Sequence, residues 1–117
     1  MTYKDLADFI FPNITETPED IYKKYPKRDL DEGCEVTRFA PSPTGFMHLG
    51  SFYQALINYV IAKNTNGVFY LRNEDTDQQR EVKGAVELIR KTLDHYEITP
   101  NEYQFEDEIV GNYGPYY

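Results

Sequence analysis

Apolar positions recur along this chain with two different periods, and each change of period marks an element. From Leu49, the residues Leu49, Phe52, Tyr53, Leu56, Ile57, Val60 and Ile61 follow the i, i+3, i+4, i+7 spacing of a helix. That spacing predicts a helix with this face well buried, ended by Asn64, Asn66 and Gly67, of which Asn and Gly suit a left-handed cap. A β-type run at 36–40 precedes it, and a β-branched and aromatic run at 68–72 follows it. Strand, helix and strand joined by short links imply a right-handed βαβ crossover and a parallel sheet. Between the first strand and the helix, Pro41 and Pro43 bias their neighbours away from helix, so a tight loop is expected there. The first turn of the helix is expected to carry His48, Gly50 and Ser51.

Elsewhere the periodicity is shorter. Leu6, Phe9 and Ile10 have helical spacing with Pro12 as a stop, and Thr17-Pro18-Glu19-Asp20 is a helix start that should run to about Lys24 before Pro26. Residues 27–35 are polar and read as a connector. Val82, Val86, Ile89 and Leu93 predict a third helix over 82–95. Residues 96–117 mix acids and aromatics and read as turns, with a short strand near Tyr103-Gln104-Phe105. The 117 residues suit one domain at most.

Charge changes this picture only in detail. The formal net charge is −8, which by itself argues against a nucleic-acid binder. It is unevenly spread: residues 1–35 carry −4, residues 36–92 carry +2 and residues 93–117 carry −6. The central part is therefore mildly basic. Cys34 is the only cysteine, which excludes an internal disulfide and a cysteine-cluster zinc site. No apolar run is long enough to span a bilayer. No segment has the pattern of an export signal, and the cytoplasm is the expected location.

The candidate chemistry gathers around the loop and the end of the second strand. The first amides of a helix lack internal partners and sit at its positive end, so the strand-loop-helix junction suits a phosphate. His48 there could donate to a phosphoryl oxygen, although a lone histidine at a helix start is more often structural. The loop has neither the Gly-Lys-Ser/Thr of a P-loop nor the G-x-G-x-x-G spacing of a dinucleotide fingerprint. Glu74, Asp75 and Asp77 follow the second strand, at the end where open parallel sheets bind ligands. They fit a solvated turn, an acidic helix start, or a site for Mg²⁺ or a substrate amine. Arg38 is placed to clamp a carboxylate bidentately, and Arg72 is expected to pair with the acids beside it.

Three motifs in order carry a family resemblance: residues 38–45 (RFAPSPTG), His48-Leu49-Gly50-Ser51, and residues 71–77 (LRNEDTD), with Gly114-Pro115-Tyr116 near the end. Together they resemble the amino-terminal catalytic region of bacterial-type glutamyl-tRNA synthetases, over roughly 36–117. The resemblance implies an α/β, partial Rossmann-type nucleotide-binding domain, with residues 1–35 as a helical and connector extension. It implies ATP-dependent attachment of glutamate to tRNA(Glu) through a glutamyl-adenylate. His48-Leu49-Gly50-Ser51 is similar to the HIGH signature, with Ser51 at its variable fourth place. By that likeness His48, Gly50 and Ser51 are catalytic and bind ATP together with Pro43, Thr44 and Gly45. Arg38, Ala40, Ser42 and Glu74 hold glutamate, with Glu74 on its ammonium. Asp77 and Arg80 lie toward the tRNA acceptor end. Mg²⁺ travels with ATP, and no protein-held metal, DNA or membrane is implied. Asn73 and Lys83 depart from the residues usual at their places.

The chain has no counterpart of the lysine-rich KMSKS-type loop, of the acceptor-binding insertion or of the anticodon-binding region. The expectation is a fragment inactive by itself, with an unpaired sheet edge that favours self-association. The alternatives are a glutamyl-queuosine tRNA(Asp) synthetase and a non-catalytic interaction module.

Overall fold

A computed structural model describes residues 1–74, 82–105 and 108–117. Strands β1 (Val36–Phe39) and β2 (Val68–Leu71) run parallel, with Val36 opposite Val68 and Phe39 opposite Leu71. Helix α3 (Leu49–Asn64) connects them, as the alternation of periods predicts. Each strand stops one residue earlier than expected, leaving Ala40 and Arg72 in the following loops.

Alternation along the strands sorts side chains onto two faces. Phe39, Phe69 and Leu71 are buried with Ala55 and Ala62 of α3, and the Thr37 hydroxyl donates to the Asn58 carbonyl at 2.7 Å. The other face carries Val36, Arg38 and Tyr70.

The buried face of α3 shares only Phe52 with the predicted one. Leu49 is 82% exposed and Tyr53 61%, while Ala55 and Ala62 are closed off completely or nearly so. The inward residues are Phe52, Ala55, Tyr59 and Ala62, also at helical spacing. Small side chains at the centre let a helix approach a sheet closely, and the larger apolar residues then face outward. Periodicity could not choose between two apolar faces on one helix.

Helix α4 (Ala85–His95) packs Ile89 and Leu93 into the same core. It starts three residues later than expected, because Gly84 adopts φ 82° and Val82 donates its amide to the Pro43 carbonyl at 2.9 Å. Val82 is thus part of the loop layer and half exposed. Strands β3 (Tyr103–Phe105) and β4 (Glu108–Val110) form an antiparallel ladder, the second of them unforeseen. The Leu71 amide donates to the Glu102 carbonyl at 2.9 Å and the Arg72 amide to that of Phe39 at 3.0 Å. Successive amides point to opposite edges, so residues 101–102 line the edge of β2 away from β1. Among the described residues no strand pairs with the outer edge of β1.

The first 24 residues form α1 (Tyr3–Ile10) and α2 (Pro18–Lys24), neither of which buries a residue. Both have capping boxes, Thr2 with Asp5 and Thr17 with Asp20, in which backbone and side-chain hydrogen bonds from the threonine hold each aspartate below the usual carboxylate range. The segment after them is more than a connector. The Tyr25 hydroxyl donates to the Gly114 carbonyl at 3.0 Å. Arg28 grips Glu102 with both terminal nitrogens, and its guanidinium lies 3.9 Å from the centre of the Tyr113 ring.

This ion pair sets a pH window. The Arg28 hydrogen bonds hold the Glu102 carboxyl below its usual range, against the opposing effect of its burial. Stability from a depressed carboxyl is complete above the unfolded value of about 4.3 and is lost as pH falls through the folded value. Burial raises the Tyr116 hydroxyl, so its contribution is complete below about 10 and fades as pH rises beyond. Thermal unfolding is therefore expected to show a plateau between about pH 5 and 9 with losses on both sides. In Glu102→Gln the acid-side fall should be shallower; an unchanged acid limb would assign that loss to other carboxylates.

Candidate active site

Loop 40–48 and the end of β2 meet at the carboxyl edge of the sheet, as the topology requires. The Glu74 amide donates to the Pro41 carbonyl at 2.9 Å. Glu74 Oε1 lies 3.6 Å from both Arg38 Nη1 and Arg72 Nε. Both guanidinium groups are about half exposed, and Glu74 is 27% exposed. These separations exceed an ordinary hydrogen bond, so Glu74 attracts both arginines while each group retains room for direct partners. The expected pairing of Arg72 with the acids is present at Glu74. Asp75, Asp77 and Arg80 lie outside the described residues.

Pro41 and Pro43 are buried, and the Thr44 amide donates to the Ser42 carbonyl at 2.8 Å in a three-residue turn. This turn places Ser42, Thr44 and Gly45 along a cavity of about 140 Å³ that His48 and Ser51 also line. Pro43 and Gly50 do not line it. Ala40 is half buried where β1 ends.

His48 is the N-cap of α3, one place before the first turn in which it was expected. Its Nδ1 accepts from the Ser51 amide at 3.3 Å, and Nε2 lies 3.0 Å from the Ser51 hydroxyl. The ring is folded back over the helix start. A Cβ at Gly50 would stand 3.2 Å from His48 Nδ1, so the small residue there makes space for the imidazole itself. Leu49 and Gly50 occupy the first two helical positions, where amides have no intrahelical acceptor, which leaves those amides directed at the helix entrance.

A larger hollow of about 460 Å³, bordered by Tyr59, Lys63 and Asn101, opens at the amino-terminal end of β2. Size favours it, but position does not: in parallel sheets the carboxyl edge collects the loops and helix amino termini that bind ligands. Among the described residues no three His, Cys, Asp or Glu side chains gather as a metal cage. No described helix is long and apolar enough to cross a membrane.

Residues 35–117 match the family model of class I tRNA synthetases (E and Q), catalytic domain. The chain belongs to this family. It is 50% identical over 117 residues to a glutamate--tRNA ligase of Clostridium perfringens, covering 99% of the chain and 21% of that protein. It is 52% identical over 92 residues to the mitochondrial glutamate--tRNA ligase of Saccharomyces cerevisiae, covering 74% of the chain and 17% of the relative. The crystal structure of a glutamate-tRNA synthetase from Elizabethkingia anophelis superposes with a TM-score of 0.64 at 46% identity, over 69% of this chain and 16% of that one. A glutamate tRNA ligase from Elizabethkingia meningosepticum, solved in complex with its amino acid, gives 0.65 at 44% identity, over 71% and 16%. The chain thus spans about a fifth of the length of the C. perfringens relative. As in these class I synthetases, the α/β arrangement is Rossmann-like.

Within this synthetase-family chain, sequence reasoning passed over Arg28 and Glu102, and took Tyr116 only as part of a terminal motif. Arg28 and Glu102 are separated by 74 residues, and neither periodicity nor motif spacing signals such a pair.

Proposed function

We propose that the whole protein attaches glutamate to tRNA at the expense of ATP, and that this chain supplies one side of the adenylate-forming site. The observation that carries the reading is Glu74 held between Arg38 and Arg72 at the carboxyl edge of the sheet, beside the His48 helix entrance. An amino acid with an acidic side chain offers complementary charges to that arrangement. Its α-carboxylate must stay free to attack phosphorus, so the carboxylate on Arg38 is the side-chain one, and the ammonium goes to Glu74. Ala40 and Ser42 are assigned to the same glutamate site.

In the first step a carboxylate oxygen attacks the α-phosphorus of ATP, and the bond to the bridging oxygen breaks to release pyrophosphate. A ribose hydroxyl of the terminal tRNA adenosine, the 2′-hydroxyl in this class, then takes the acyl group and AMP leaves. Positioning and charge stabilisation dominate such a reaction. His48, the Leu49 and Gly50 amides and Ser51 supply hydrogen-bond donors for phosphoryl oxygens, with Pro43, Thr44 and Gly45 shaping the loop. Mg²⁺ fits as a companion of the triphosphate, bound mainly through phosphate oxygens and water. Asp77 and Arg80 are assigned to the acceptor end of tRNA. Residues 1–35 are assigned to an extension and 36–117 to the opening part of the catalytic domain, in a cytoplasmic enzyme. A cavity of about 140 Å³ is small against the roughly 300–1,000 Å³ of ordinary ligand sites. The 117 residues alone should therefore charge no tRNA.

The test is tRNA charging with labelled glutamate by the full-length protein, with Arg38→Gln as the diagnostic variant. Loss of a charge-assisted hydrogen bond should raise KM for glutamate by roughly 30- to 150-fold, about 2–3 kcal/mol, with little change in KM for ATP. An unaltered KM for glutamate would remove Arg38 from the site.

A further inference from the structure

Glu74 is useful only if its carboxylate is aimed, and its own side chain lacks a hydrogen bond of ordinary length to either arginine. The aim must come from the backbone. Three successive amides are tied: Arg72 to the Phe39 carbonyl at 3.0 Å, Asn73 to the Tyr116 carbonyl at 2.9 Å and Glu74 to the Pro41 carbonyl at 2.9 Å. The first and third ties lead to β1 and its loop. The second leads away, to Tyr116.

Tyr116 is 2% exposed and held at several points. Its hydroxyl donates to Glu102 Oε2 at 2.8 Å and accepts from the Tyr113 amide at 3.0 Å. Its amide donates to Gln104 Oε1 at 3.2 Å. Glu102 is itself oriented by the two-point grip of Arg28. Asn73, wholly buried, donates its side-chain amide to the Gln104 carbonyl at 3.1 Å, but its Oδ1 has no partner among the described residues. The segment before Glu74 is therefore incompletely satisfied on its own and depends on the Tyr116 side for its place.

Gly111 shows how tightly this cluster is built. At φ 112°, its Cβ would collide with the Tyr116 hydroxyl and stand 2.8 Å from Glu102 Cγ. A side chain there would be strained in backbone conformation and would part the Tyr116–Glu102 bond.

We propose that Arg28 is a positioning residue for amino-acid binding: through Glu102 and Tyr116 it fixes segment 72–74 and so directs the Glu74 carboxylate at the substrate ammonium. The inference rests on the reading of Glu74 and Arg38 as the glutamate site. It gives the segment before β1 a part in specificity, exerted without touching the substrate. Arg28 acts at a distance, so its loss should disturb the ligand that Glu74 holds and leave the phosphate-binding loop alone. A merely structural role would lower thermal stability and affect both substrates alike.

The experiment is steady-state kinetics of the full-length protein as wild type, Arg28→Ala, Arg28→Lys, Tyr116→Phe and Arg38→Gln, below each variant's unfolding temperature. Arg28→Ala should raise KM for glutamate about 10- to 100-fold, the scale of a small misplacement of a binding group. KM for ATP should stay within about twofold, well inside the tenfold that 1.4 kcal/mol represents. Arg28→Lys, which keeps the charge but not the two-point grip, should fall between wild type and Arg28→Ala. If Arg28→Ala does not fold, Tyr116→Phe decides, since it removes one hydroxyl and should raise KM for glutamate selectively. Unchanged glutamate KM in the folded variants, or equal rises for both substrates, overturns the proposal. If Arg38→Gln weakens glutamate and Arg28→Ala does not, positioning alone fails. If Arg38→Gln has no effect, the site reading fails and takes the proposal with it.

Discussion

Full-length protein carrying His48→Ala is expected to form glutamyl-adenylate about 10²- to 10³-fold more slowly than wild type, the usual consequence of removing one donor from a developing anion. The substitution also deletes the N-cap of α3, because His48 Nδ1 accepts from the Ser51 amide. Losing a cap costs about 1 kcal/mol of stability. His48→Asn separates the two effects. Asparagine caps a helix well but its side chain is shorter than the imidazole, so stability should return toward wild type while the rate stays low. Single-turnover adenylate formation beside thermal unfolding reads both quantities. Recovery of rate along with stability in His48→Asn would reduce His48 to a cap. In the reading of His48 as a phosphoryl donor, a χ rotation would exchange its Ser51 contacts for a phosphoryl oxygen.

Gly67→Ala is expected to destabilise the fold by about 3 kcal/mol, at the severe end for an added methyl group. A Cβ at Gly67 would overlap the Glu35 carbonyl oxygen and stand 2.8 Å from both the carbonyl carbon and the amide nitrogen of that residue. All of these are backbone atoms, so no side chain can swing aside. Nor can either strand retreat cheaply. The Val68 amide donates to that same Glu35 carbonyl at 2.9 Å, and the Gly67 amide to the Ala62 carbonyl at 2.8 Å. These bonds close the turn from α3 into β2 and begin the parallel ladder. Relief of the overlap would shift the β1–β2 register start and with it the offset between Arg38 and Glu74. Circular dichroism melts should show the midpoint lowered by about 10–20 °C for a domain of this size. A midpoint within about 2 °C of wild type would mean that the two strands have slack there.

Both expectations concern places where local pattern and tertiary contact meet, and the chain divides along that line. Thr17 and Pro18 announce the start of α2, and Pro18–Lys24 follows from them because a cap is settled within three residues. The strand, loop, helix and strand of 36–71 were legible for the same reason. The meeting of Pro41 with Glu74 followed from topology, since the carboxyl ends of two parallel neighbours share one edge. The inward face of α3 was not legible. Both faces are apolar, and only the presence of Phe39, Phe69 and Leu71 beneath the helix selects the one with alanines. Strand β4 was also missed, since three residues are too few to establish alternation against an acidic background.

By itself the sequence determined the order of the elements from α1 to β3, the cap of α2, and the motif residues that bring His48, Arg38 and Glu74 to one edge. Each of these depends on interactions spanning a few residues, or on a connection rule with few alternatives. The tertiary structure alone decided that Arg38 joins Arg72 on Glu74, and that Arg28 and Tyr116 brace the segment before it. Those contacts join residues up to 74 positions apart. Charge and hydrogen bonding reward such pairings only once the core has brought the partners together, and no local pattern encodes that meeting.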